Sequence, residues 1–288
     1  MEQNPSPAAQ DEPRFDVFVA AKFFDRLLAG AKRRLTPAFF ESSTARLTRY
    51  GHCALLLAAA VGLLSSIVIT IKHDTFSAFV SGLGWVLLLL VLQYTAVKFE
   101  SSGDTFVKGN PSQIASPAFL DCVALANFIV GWLFLLGFLV IAIQAQRMNA
   151  LLFGACLFVL CEYLACLAMN PALLNISAAS QAGAGEEAVG IIMFLMKAFL
   201  RLVPVAFGTG LVLGALRLVV DCVQLLRGRG DVFAAIGQPG SVSLTVAAAA
   251  LPFFGYILFV LCYLHLDVIR AILAIPAKLD ESHSKRSH

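Results

Sequence analysis

Residues 186–226 read EEAVGIIMFLMKAFLRLVPVAFGTGLVLGALRLVVDCVQLL, an apolar run holding three basic residues, Lys197, Arg201 and Arg217, and one proline, Pro204. As straight helix, the part from Val189 onward would extend about 57 Å, against a bilayer hydrocarbon core of about 30 Å. The run is too long for one span and barely long enough for two with a turn between them. How it is divided sets the topology of everything after it.

Other runs of the same kind precede and follow it. Spans are expected at about 53–71, 76–97, 119–144, 151–169, 202–226 and 242–266. The whole chain is 59% hydrophobic and 14% charged, whereas soluble domains sit near about half and a quarter. A net charge of +3 is too small to point to nucleic acid. The fold class is therefore all-α, a polytopic integral membrane protein.

No cleavable signal peptide is visible, because the first long apolar run starts only near Cys53 and would act as an uncleaved anchor. Residues 1–13 are polar, contain proline and read as disordered. From Arg14 to Arg34, Phe15, Val19, Phe23 and Leu27 recur at helical spacing, with Lys22, Arg26, Lys32, Arg33 and Arg34 interleaved or trailing. That pattern is a basic amphipathic helix, lying either in the membrane interface or on the protein's own cytoplasmic face. Thr36-Pro37 then offers an N-cap and a first-turn proline for a second short helix to about Tyr50.

Three units follow: a cytoplasmic N-terminal segment over 1–50, a transmembrane domain over 51–274, and a polar tail over 275–288. Residues 98–117 read as a polar loop and 171–185 as a small-residue loop. The segment before the first span carries eight Lys and Arg, so the positive-inside bias puts the N-terminus in the cytoplasm. Six spans then leave Arg227 and Arg229 outside, which is a misfit. A seventh crossing before Pro204 would bring them inside but send the basic tail out. Residues 189–200 are too short to cross unaided and contain Lys197, so 187–201 is read as an interfacial or re-entrant helix before a fifth span at 202–226.

Within that fifth span Gly210, Gly214, Arg217 and Asp221 fall on one helical face. The two glycines suit close helix packing, and Arg217 and Asp221 can neutralise each other at i, i+4 or leave Arg217 to snorkel. An arginine at mid-span costs on the order of 2.5–3.5 kcal/mol, so it faces protein or water. Lys197, with Arg201 four residues on, reads as an interfacial anchor for headgroups, together with the basic residues of 22–34.

Glu162 is the sharpest signal, because it sits near the centre of the fourth span, too deep for a short side chain to snorkel. An intramembrane carboxylate must be protonated, paired or wetted. It is either a proton- or cation-linked site or a structural group, paired with Arg201 or Arg217 or bonded as a neutral acid. The seven cysteines all lie in or beside apolar runs with no C-x-x-C pair, and read as small buried hydrophobes. No nucleotide-binding glycine motif, H-E-x-x-H or metal-ligand pairing occurs, so neither a cofactor nor a metal is expected.

The sequence thus points to a non-enzymatic subunit or scaffold of a bacterial inner-membrane complex. The alternative is a small transporter or channel in which Glu162 couples to Arg201 or Arg217. Its partners are the lipid bilayer and other membrane subunits or a second copy, not nucleic acid.

Overall fold

Thr36 sets the first long element in place: its Oγ1 accepts from the Phe39 backbone N–H at 3.2 Å, and Pro37 fills the first turn, where its missing N–H costs nothing. The computed structural model describes residues 19–146, 148–178, 183–227 and 240–286. The disordered reading of 1–13, the start of the amphipathic helix at 14–18, and most of the 227–240 connection lie outside the described residues.

Seven α-helices are present among the described residues: α1 (Val19–Arg34), α2 (Pro37–His73), α3 (Phe76–Gly109), α4 (Pro117–Ala145), α5 (Met148–Met169), α6 (Ala184–Leu226) and α7 (Ser241–Arg286). Six of them, α2 to α7, are long and apolar enough to cross a membrane. Two three-residue strands, β1 (Ser112–Ile114) and β2 (Ile176–Ala178), pair in parallel.

The helices are longer than the spans read from sequence, and for one reason. A helix does not stop where apolar residues stop, since its own hydrogen bonds satisfy the backbone on both sides of the interface. α2 therefore has no break near Tyr50. α3 carries on to Gly109 through what reads as a loop, because Gly103 packs against Leu200 and Asp104 and Lys108 pair on one face. α7 runs through the polar tail to Arg286.

The largest difference is α6. The separate interfacial or re-entrant helix at 187–201 is not a separate element: it is the first part of one continuous 43-residue helix that passes through Pro204. At one end Gly190 lies against the Gln113 carbonyl of β1, and at the other Lys72 Nζ donates to the Leu225 carbonyl at 2.7 Å. One continuous helix can cross a bilayer only once, and its first turns lie beside the α3–α4 and α5–α6 connections.

α6 is the central helix. Half of its apolar window is buried inside the bundle, against 6% for α4 and 11% for α3. α2 and α7 flank it, α3 packs on α2 and α7, and the α4–α5 hairpin leans on it through α5. Small residues set the close crossings. A Cβ on Gly208 would stand 2.4 Å from the Leu47 carbonyl oxygen, and one on Gly62 would enter the Trp85 ring. α1 packs its Leu28 and Ala31 face on the bundle while Lys22, Arg26, Lys32, Arg33 and Arg34 stay exposed.

Candidate functional site

Five ionisable side chains converge where α2, α3 and α6 meet, one end of the bundle inward from Thr36. Glu100, Asp104 and Lys108 follow one another at i, i+4, i+8 on α3 and so share a face. That face meets Arg201 of α6, whose Nη1 donates to Asp104 Oδ1 at 2.6 Å, while Lys108 Nζ holds Asp104 Oδ2 at 2.6 Å. One carboxylate thus serves two cations. A turn deeper, His52 of α2 places Nε2 3.6 Å from Glu100 Oε2, with the Phe207 ring 4.9 Å from the imidazole on its other side.

These groups are mostly withdrawn from solvent and only partly satisfied. His52 Nδ1, Glu100 Oε1 and Arg201 Nε are buried atoms with no hydrogen-bond partner. Buried polar atoms without partners are uncommon and costly, on the order of 1–3 kcal/mol each, so three around one feature mark it out. The feature is an open groove of about 730 Å³ whose walls include Glu41, Arg49, His52, Glu100, Asp104, Lys108 and Arg201. Its floor is Cys53, Leu56 and Pro204.

This cluster is not apparent in the sequence: His52 stands just before the first expected span, and Glu100 and Asp104 fall in the stretch 98–117 that reads as a polar loop. The signal available was the four-residue spacing of Glu100, Asp104 and Lys108, which belongs to a helix face and not to a loop.

Lys197 lies elsewhere than expected. As a headgroup anchor it would point to the lipid surface, but it is wholly buried. Its Nζ donates to the Asn110 carbonyl, to Ser112 Oγ at 2.9 Å and to the carbonyls of Leu174 and Asn175 at 3.0 and 3.3 Å. It thereby ties the α3–α4 connection to the α5–α6 connection under the β1–β2 pair. Glu187, nearly three turns earlier on α6, accepts from the backbone N–H groups of Ala115 and Ser116 at 2.6 and 3.1 Å, where a carboxylate suits the start of α4. Tyr263 of α7 donates to Asn110 Oδ1 at 3.0 Å and joins the same knot.

Glu162 faces α4, not α6. Its Oε1 is buried without a hydrogen-bond partner, close to Gly131, and it pairs with neither Arg201 nor Arg217. Arg201 is taken by Asp104. Arg217 lies at the far end, against Gly240, in a cleft of about 370 Å³ shared with Asn149 and Ser243. Asp221 accepts from Ser241 Oγ at 2.6 Å at the start of α7, and no ion pair joins it to Arg217 among the described residues. Gly210 packs on Ala248 and Gly214 on Thr245, both of α7.

The seven cysteines are free, and among the described residues no three His, Cys, Asp or Glu side chains gather as a metal site. No protein-family model, no curated protein and no solved structure matches this chain.

Proposed function

We propose that this chain is a non-enzymatic integral membrane protein that serves as a subunit or scaffold of a bacterial inner-membrane complex, with its N-terminus in the cytoplasm. One observation supports the reading: the middle of the bundle is packed with apolar side chains. Below the groove, Leu55, Ala58, Phe207 and Leu211 are fully buried in one apolar cluster. A conduit would need polar atoms or water at that level. Lys197 and Glu187, at the same end of the bundle, are occupied in holding connections together. The orientation rests on Arg46, Arg49, Lys98, Lys108, Lys197 and Arg201, which share the N-terminal end of the bundle, against Lys72, Arg217 and Arg227 at the other. Reconstitution into liposomes tests the closed core. Proton and ion leak should equal that of protein-free vesicles, and a flux proportional to protein would overturn the reading.

Glu162 supports a second reading, a small transporter with this carboxyl as the coupling acid. Its Oε1 is left unbonded between α4 and α5. That reading requires Glu162→Gln to abolish transport while abundance stays normal. If abundance falls instead, the residue is structural.

A further inference from the structure

We infer that the groove between α2, α3 and α6 binds the headgroup of an aminophospholipid, its phosphate held by Arg49, Lys108 and Arg201 and its primary amine by Glu41. The inference goes beyond the scaffold reading and does not depend on it.

The groove is graded as an amphiphile is graded. Along α2 its wall runs Glu41, Thr48, Arg49, His52, Cys53, Leu56, from charged to apolar in the inward direction. α3 runs the other way and matches it, with Lys108 outermost, then Asp104, then Glu100. At the inner end Cys53 and Leu56 are exposed on the lipid-facing side of α2, so the floor opens sideways to where acyl chains lie. A volume of about 730 Å³ falls within the roughly 300–1,000 Å³ of small-molecule sites.

The charges choose among headgroups. Three basic groups, Arg49, Lys108 and Arg201, face three carboxylates, Glu41, Glu100 and Asp104, with His52 beside them. A simple anion would meet those carboxylates, and a simple cation would meet the bases. A zwitterion uses both. Asp104 is already shared by Arg201 and Lys108, which leaves positive charge in excess at that point for a phosphate. Arg49 is exposed on the same wall, and Arg201 Nε still lacks an acceptor. Glu41 is exposed at the outer end of the same groove, beside Lys108 and Arg201, where a headgroup amine lies beyond its phosphate, and a primary ammonium donates hydrogen bonds to it that a quaternary one does not.

The experiment uses the full chain in a phosphate-free detergent, with phosphatidylethanolamine, phosphatidylcholine or phosphatidylglycerol of matched acyl chains added, and reads bound lipid by native mass spectrometry and unfolding temperature. Phosphatidylethanolamine should bind about tenfold or more tightly than phosphatidylcholine, since only the primary amine donates hydrogen bonds. Glu41→Gln and Arg49→Gln, both at exposed positions, should each erase most of that preference while leaving the lipid-free unfolding temperature unchanged. Equal binding of the two zwitterionic lipids would overturn the inference, as would unaltered preference in both variants. Saturable binding of glycerophosphoethanolamine without any binding of the parent lipid would overturn the membrane source.

Discussion

Arg201 of α6 and Asp104 of α3 meet at 2.6 Å, and the other oxygen of the same carboxylate takes Lys108 at the same distance. The two cations are not equivalent. Arg201 reaches Asp104 from another helix and is 17% exposed, whereas Lys108 comes from the same helix and is 66% exposed. Only the first contact ties elements together.

The expected outcome is an asymmetry between variants. Asp104→Asn strands a guanidinium that is largely out of water and should destabilise the fold by about 1–3 kcal/mol. Lys108→Gln removes an exposed i, i+4 pair and should cost less than about 1 kcal/mol. Unfolding temperatures in one detergent would measure both, and equal losses would contradict the assignment.

Lys197→Met should be the most damaging single change at this end of the bundle. It leaves Ser112 Oγ and three backbone carbonyls without their buried donor. A loss of about 3 kcal/mol or more is expected, from several charge-assisted bonds removed at once. Limited proteolysis should then cut near 110–114 or 174–178, where the wild-type chain resists. An unchanged digest would mean that the β1–β2 pair holds without the lysine.

Glycine positions separate close packing from mere presence. Gly208→Val would drive a side chain into the Leu47 carbonyl and should abolish monodisperse, folded protein. Gly84→Ala and Gly137→Ala enter open space and should leave stability unchanged or raise it by up to about 1 kcal/mol, through helix propensity. Size-exclusion profiles and unfolding temperatures of the three would rank them.

A single crossing of α6 fixes sidedness. Gly185→Cys and Arg227→Cys should label from opposite faces with an impermeant maleimide, measured above the signal of the native cysteines. Labelling from the same face would require a further crossing within 184–226.

The six spans were legible because hydropathy over some twenty residues is a direct physical requirement of the bilayer. Thr36-Pro37 was legible because capping is local chemistry. The extent of α3 and α6 was not. Ser101, Ser102, Gly103 and Asp104 resemble a loop by composition, and only the neighbouring α6 shows why they stay helical: Leu200 fills the space above Gly103, and Arg201 answers Asp104. Lys197 and Pro204 likewise suggested a division that packing overrides. The cluster of His52, Glu100 and Arg201 was hidden by distance, since its members lie on three helices and nothing within any one of them signals the others. Glu162 stood out in the sequence as a lone intramembrane acid, and the bundle leaves it apart from both arginines.

The most direct test of the account is the composition of the particle that the tagged chain forms when extracted from its own membrane in mild detergent, at native expression. A subunit or scaffold should emerge with a second copy or another membrane protein at fixed stoichiometry by mass. A lone monomer, recovered folded and in full yield, would contradict it.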